Sequence, residues 1–256
     1  MTSAFAIPGP RAADVHRAGW LATHAPVTPK RPIYAMPPEQ IRGSLPPAAN
    51  VLVIIARPGQ ESADLGGLLH AFRAAGARLA LLSLTRGEAS ALNSTVHLLE
   101  AIRPWELQLA AGLLDVSSVA VADFPDGGLR RYPIVALTDR IQRAINEHAP
   151  DLVLVVDPAL GDADDAQVAR AACLAAGLAG VPVVARTWPG ARSGWRVDLG
   201  SETTAARATQ RSAADAHASQ ADALPEVHRG LARLGSHEQM RWLLTPQRRS
   251  ATSRVV

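Results

Sequence analysis

Hydrophobic positions along this chain fall into two alternating patterns. Val51-Leu-Val-Ile-Ile-Ala56 is an uninterrupted apolar run, as expected of a strand buried on both faces of a parallel sheet. A Pro-Gly loop follows, then a helical stretch from about Ala63 to Ala75 that Gly76 stops. Leu79–Leu84 reads as the next strand. Val96–Leu114 carries Leu98, Leu99, Ile102, Leu109 and Leu113 at helical spacing, and Pro104 is placed to start a second helix within it, since proline suits a first turn. Val119–Ala122 is a short strand, Ile134–His148 a helix and Leu152–Val156 a strand. Asp164–Ala179 is an alanine-rich helix ended by Gly180, and Val181–Arg186 is a further strand. This alternation predicts one α/β domain built on a Rossmann-like, doubly wound, mostly parallel sheet flanked by helices. Right-handed crossovers then bring the loops that follow the strands to one edge, where such sheets bind ligands. Those loops are Arg57–Ser62, Thr85–Ser90, Asp123–Arg131 and Asp157–Asp165.

Composition adds boundaries and exclusions. Residues 1–48 are rich in Pro and Ala, with Trp20, Tyr34 and Met36 as larger apolar groups, and read as an irregular N-terminal arm. The α/β domain spans 49–244, and 245–256, with Arg248, Arg249 and Arg254, is expected to be a disordered basic tail. Hydrophobic content of 48% with 19% charged residues is that of a soluble globular protein. No apolar run approaches the roughly 18 residues that cross a bilayer, so no membrane partner is expected. No secretory signal pattern opens the chain, which leaves the cytoplasm as the expected compartment. A net charge of +3, ten aromatic residues and no basic stripe argue against nucleic acid. Cys173 is the one cysteine, so no intrachain disulfide and no cysteine-rich metal site can form.

The predicted loop edge is rich in charge: Arg57, Glu61, Glu88, Asp123, Asp126, Asp157, Asp162, Asp164 and Asp165. Loops are polar in general. Carboxylates gathered at one edge nevertheless repel unless a cation, a proton or an arginine sits among them.

Several stretches, in order, carry a resemblance. Arg57-Pro-Gly-Gln-Glu61 follows the first strand, with Gly66-Gly67 after it. Leu84-Thr-Arg-Gly-Glu-Ala89, Arg103-Pro-Trp-Glu106 and Phe124-Pro-Asp-Gly127 come next. Asp162-Ala-Asp-Asp165, His217-Ala-Ser-Gln220 and Glu238-x-x-Arg241 complete the series, the last where a terminal helix is expected. Together they resemble the PIG-L/LmbE family of N-deacetylases over most of residues 50–243. The resemblance implies a Zn²⁺ held by a His and the second Asp of the first loop and by a late His, with the first Asp of that loop as general base. Zinc takes imidazole or carboxylate donors at about 2.0–2.2 Å and lowers the pKa of its water to roughly 7, so a carboxylate can deprotonate the attacking water. Substrates of the family are typically N-acetylglucosamine-type conjugates.

At the critical positions this chain departs from that pattern. The His position is Arg57, the base position is Gly59, the second Asp position is Gln60 and the late His position is Asp165, with Asp162 upstream of it. A guanidinium has no lone pair to give a metal, so no zinc cofactor is expected. Arg57 is instead expected to pair with Asp162, Asp164 or Asp165; separate surface charges are the simpler alternative. Asp157, Asp162, Asp164, Asp165 and Glu61 could gather Mg²⁺ or Ca²⁺, which Arg57 would oppose. Arg103 and Asp126 match positions that face the substrate in the family. More simply, Arg103 pairs with Glu106 or caps a helix, and Asp126 makes its turn. Glu61 and Glu88 suit holding loop backbones, and His217 suits a structural role. His70, His97, His148, His228 and His237 fall on predicted helices or their ends without metal spacing, and Cys173 fits a small core residue.

Three functions are open on this reading. The chain is a non-hydrolytic or repurposed family homologue binding a small polar, sugar- or amide-like ligand or a partner protein, through Arg57, Gln60, Glu61, Arg103, Asp126, Asp162 and Asp165. Alternatively it is an active hydrolase or transferase with an altered mechanism, or a structural protein that forms homo-oligomers through its arm.

Overall fold

The computed structural model describes residues 44–90, 96–159, 162–187 and 194–246. Residues 1–43 of the arm and 247–256 of the basic tail lie outside the described residues. Five parallel strands, β1 (Asn50–Ile55), β2 (Arg78–Thr85), β3 (Ser118–Phe124), β4 (Leu152–Val156) and β5 (Val183–Thr187), lie in the order β3-β2-β1-β4-β5. Two more extend the sheet beyond β5. β7 (His237–Leu244) runs antiparallel to β5, and β6 (Trp195–Asp198) pairs antiparallel with β7.

Alternate residues of each strand feed the two faces of the sheet. Val51, Val53, Ile55, Leu79 and Leu81 pack with Leu68, Leu69 and Phe72 of α2 (Gly66–Ala74), Leu107 and Ala110 of α3 (Val96–Leu113) and Ala213 of α6 (Thr203–Asp215). Leu52, Ile54, Leu82, Val153 and Val155 pack on the other face. Their partners are Leu137 and Ile141 of α4 (Ile134–His148) and Val168, Ala172 and Ala175 of α5 (Ala163–Ala179). Helices on both faces explain why the strands read as continuous apolar runs. The predicted single α/β domain with a mostly parallel sheet is the observed one.

Four expectations are corrected. The stretch from Ala63 is two helices, α1 (Gln60–Ala63) and α2, separated at Asp64 and Leu65. The reason lies in the glycine pair: a Cβ at Gly66 would press on Gln210, and one at Gly67 would run into Glu238 and Arg207. The glycines let α2 begin directly against α6 and β7. Pro104 starts no new helix but sits inside an unbroken α3. A proline removes one backbone hydrogen bond there, and buried Leu99, Arg103 and Leu107 on both sides hold the helix to the core. Glu238-x-x-Arg241 belongs to strand β7 and not to a terminal helix, which also takes His237 off the helices. Cys173 is half-buried against the core and not wholly inside it.

Strand order reverses between β1 and β4, whose outer neighbours are reached by crossovers in opposite directions. A doubly wound sheet opens its ligand crevice at that switch point, beyond the strands' carboxyl ends. The loops after β1 and β4 are the ones holding Arg57–Gln60 and Asp157–Asp165. Ser44, Leu45 and Ala48, the described end of the arm, lie elsewhere: Ser44 O accepts from Trp195 Nε1 at 2.9 Å, and Leu45 and Ala48 pack on the core.

Candidate functional site

The loop after β1 turns sharply through Gly59, whose φ of 104° suits only glycine. Its fold is set by its own side chains. Gln60 Oε1 accepts from the backbone N–H of Ala56 and of Arg57 at 2.9 and 3.2 Å, and Glu61 Oε2 accepts from Gly59 N at 2.8 Å. The Gln60 amide is thereby oriented, with Nε2 donating to Asp165 Oδ1 at 2.7 Å.

Arg57 leaves this loop into a ring of carboxylates. Nε donates to Asp126 Oδ1 at 2.9 Å, Nη1 donates to Asp162 Oδ2 at 2.6 Å, and Nη2 lies 3.6 Å from Asp164 Oδ2. Burial works against the guanidinium charge, but Asp162 and Asp126 outweigh it and hold the pKa above the ordinary arginine value. Each carboxylate is held from behind. Asp126, in its Pro-Asp-Gly turn, donates its backbone N–H to Glu88 Oε1 at 2.9 Å and accepts from Ala89 N at 3.1 Å. Asp162 is the N-cap of α5: its Oδ1 accepts from Asp164 N and Asp165 N, while Asp165 Oδ2 accepts from Asp162 N. This capping box is the missed signal in Asp162-Ala-Asp-Asp165, an acid at the cap and another three residues on. Burial also opposes charge on Asp162, yet Arg57 and the two amides keep its carboxyl below the ordinary range. Asp165 is pushed up by burial, with the Gln60 bond opposing.

A second cluster closes the far side. His217 Nε2 and Glu61 Oε1 lie 2.6 Å apart, both residues buried, and Ser62 Oγ donates to the same oxygen. Burial would raise the Glu61 pKa, but His217, Ser62 and the Gly59 amide bring it below normal. Arg103 does not pair with Glu106. Its Nη2 donates to Pro58 O at 2.5 Å and its Nη1 to Gly87 O, so it clamps the loops after β1 and β2. A side chain at position 87 would strike this guanidinium. Burial lowers the Arg103 pKa, with Asp126, Glu106 and Glu61 opposing. Glu106 instead accepts from the backbone N and Oγ of Ser219, each at 2.6 Å. Asp157 stands apart from Arg57 and forms a two-bond pair with Arg241 of β7.

Between the clusters lies a cleft of about 180 Å³. Arg57, Gln60, Asp64, Arg103, His217 and Gln220 supply its polar wall, and Ala214, Ala223, Leu224 and Val227 its apolar one. Of the expected site residues, Arg57, Gln60 and Arg103 line it. Asp126, Asp162 and Asp165 stand behind Arg57 and Gln60, and Glu61 behind His217. Asp64 was missed because it lies between the recognised residues of its segment. Burial, with Asp165, Glu61 and Glu238 adding to it and Arg186 opposing, pushes the Asp64 carboxyl up to about 6.

This architecture is shared with solved proteins. A conserved protein of Thermus thermophilus superposes with a TM-score of 0.62 at 22% identity, over 80% of this chain and 99% of that one. The N,N'-diacetylchitobiose deacetylase of Pyrococcus horikoshii gives 0.61 at 17% identity, over 77% and 84%. The 4-carboxy-2-hydroxymuconate hydratase of Pseudomonas putida gives 0.62 at 18% identity, over 80% and 99%. The chain therefore has the fold of the LmbE-like deacetylases, one that also carries a hydratase. The family profile described as "PIG-L: GlcNAc-PI de-N-acetylase" matches residues 52–176, and the α/β domain belongs to that family. No curated protein matches the chain in sequence.

The geometry sets expectations for two variants. Asp126 and Asp164 are 2% and 3% exposed, so Arg57→Met strands buried carboxylates and is expected to cost roughly 2–4 kcal/mol in urea denaturation; a loss under about 0.5 kcal/mol would refute the ion-pair anchor. Asp64 has a raised folded pKa, so the native state binds the extra proton between about pH 4 and 6 and loses stability as pH rises through that window. Asp64→Asn is therefore expected to raise Tm at pH 7.5 by about 2–6 °C, allowing for partial solvent screening, and to leave Tm nearly unchanged at pH 4. Equal shifts at both pH values would contradict the assignment.

Proposed function

We propose that this chain is a PIG-L/LmbE homologue that binds a small polar ligand in the switch-point cleft without metal-dependent hydrolysis. One observation carries the reading: hydrogen-bonded protein groups occupy the positions that match the family's zinc ligands. Arg57 is engaged with Asp126 and Asp162. Gln60 spends its oxygen on two backbone amides and its nitrogen on Asp165. The remaining donor set does not fit Zn²⁺. A guanidinium and a committed carboxamide are no ligands for it, and among the described residues no three His, Cys, Asp or Glu side chains are grouped so as to hold a metal ion. A guanidinium beside Asp162 also opposes Mg²⁺ or Ca²⁺ there. The base position, Gly59, offers no side chain, and its φ would strain an aspartate.

What remains is a binding site with oriented polar groups on one wall and apolar groups on the other, the usual composition of a small-ligand site. Arg103, Glu61 and Glu88 keep its loops in place, so the cleft retains its shape without a metal.

A second reading, an amide hydrolase of altered mechanism, is favoured by Asp64 and by the Glu61–His217 pair, which place acid–base groups at the same cleft. One experiment separates the two. Purified protein is incubated with N-acetylglucosamine and its conjugates, with and without added Zn²⁺, and free acetate is measured alongside bound metal. The binding reading expects no acetate above the uncatalysed background and well under one equivalent of zinc. Turnover in the ordinary enzyme range of about 1–10³ s⁻¹ would overturn it.

A further inference from the structure

Asp64 occupies a position that neither the ion-pair ring nor the buried Glu61–His217 pair accounts for. It is the C-cap of α1, in the break before α2, and it lines the cleft. The other carboxylates around the cleft each accept at least one hydrogen bond: Glu61 from Ser62 and the Gly59 amide, with His217 against it, Asp126 and Asp162 from Arg57, Asp164 from Arg130 N, with its Oδ2 3.6 Å from Arg57, Asp165 from Gln60, Glu106 from Ser219 and Glu238 from Arg207. The Asp64 carboxylate has no hydrogen-bond partner among the described residues.

The groups facing Asp64 leave a negative balance. Glu61 on its own helix, Asp165 on α5 and Glu238 on β7 are carboxylates, and Arg186 on β5, itself 3.4 Å from Glu238, is the one guanidinium among them. Arg57 and Arg103 also line the cleft, but Arg57 bonds two carboxylates, and Arg103 has Asp126, Glu106 and Glu61 around it. A second group without a hydrogen-bond partner is nearby. His217 is 2% exposed and lines the same cleft, and its Nδ1 lacks a hydrogen-bond partner. Nδ1 also lies 4.0 Å from Glu106 Oε2.

An unpaired carboxylate set in a field of excess negative charge suits a donor-rich cation. A metal ion is a poor fit for so few donors, whereas an ammonium needs one charged acceptor and one or two neutral ones. On the binding reading above, we propose that the cleft selects small polar ligands carrying a primary ammonium group, with Asp64 as its counter-ion. The apolar wall of Ala214, Ala223, Leu224 and Val227 covers the carbon face of such a ligand.

Binding of glucosamine, N-acetylglucosamine and glucose to the full chain, by titration calorimetry and ligand-observed NMR at pH 7.5, tests this. Glucosamine is expected to bind about 10-fold more tightly than either neutral sugar, equivalent to about 1.4 kcal/mol. Asp64→Asn, verified as folded by its melting curve, is expected to reduce that preference to about 1-fold. At pH 5 the wild-type preference is expected to shrink as Asp64 takes up its proton, while the ratio in Asp64→Asn changes much less. If the neutral sugars bind as well as glucosamine, the ammonium assignment is wrong and the binding reading stands. A preference that survives Asp64→Asn overturns the role of Asp64. If none of the three binds, the binding reading fails and this inference fails with it.

Discussion

The arrangement of the site depends on one cation that cannot leave. Arg57 extends from the end of the central strand and meets Asp126 from the loop after β3 and Asp162 and Asp164 from the start of α5. Three segments distant in sequence are thus drawn to one point. Two of the carboxylates are nearly without solvent, and buried charge of one sign is stable only beside its opposite. The loops at the switch point keep their mutual positions because moving any of them would leave a charge uncompensated. The supporting bonds from Glu88, Ala89 and the α5 capping box orient the acids before they meet the arginine. The pairing therefore needs little further ordering of side chains.

A second set of contacts explains how a cleft persists when the residues matching a metal centre have changed. Arg103 holds two loop carbonyls, Glu61 an amide and His217, and Glu106 the turn at Ser219. None of these roles requires a metal. These side chains form a frame on which the loops hang. Frame and chemistry can change independently, consistent with a fold whose solved examples include both deacetylases and a hydratase.

The core of the fold was legible because strands buried on both faces leave unbroken apolar runs. The antiparallel extension was not. β7, His-Glu-Gln-Met-Arg-Trp-Leu-Leu, mixes charge with apolar groups because Glu238 and Arg241 are needed for Arg207 and Asp157. Nor was the break between α1 and α2, which tertiary contacts at Gly66 and Gly67 dictate and local propensity does not. Within the site, Arg57 among acids could be anticipated from charge alone, since several carboxylates at one sheet edge demand a cation. Asp64 could not, because its significance is an absence of partners. A sequence displays charges; only the fold reveals which of them are already neutralised.

Charges at the switch point are largely compensated within the protein. Arg57 is bonded to Asp126 and Asp162, and Asp165 takes a hydrogen bond from the neutral amide of Gln60. Farther out, Glu238 pairs with Arg207 and Asp157 with Arg241. At the cleft one carboxylate, Asp64, carries a charge that no protein hydrogen bond offsets among the described residues. Groups that a protein leaves unsatisfied at some cost to stability are the ones most readily explained by what binds there.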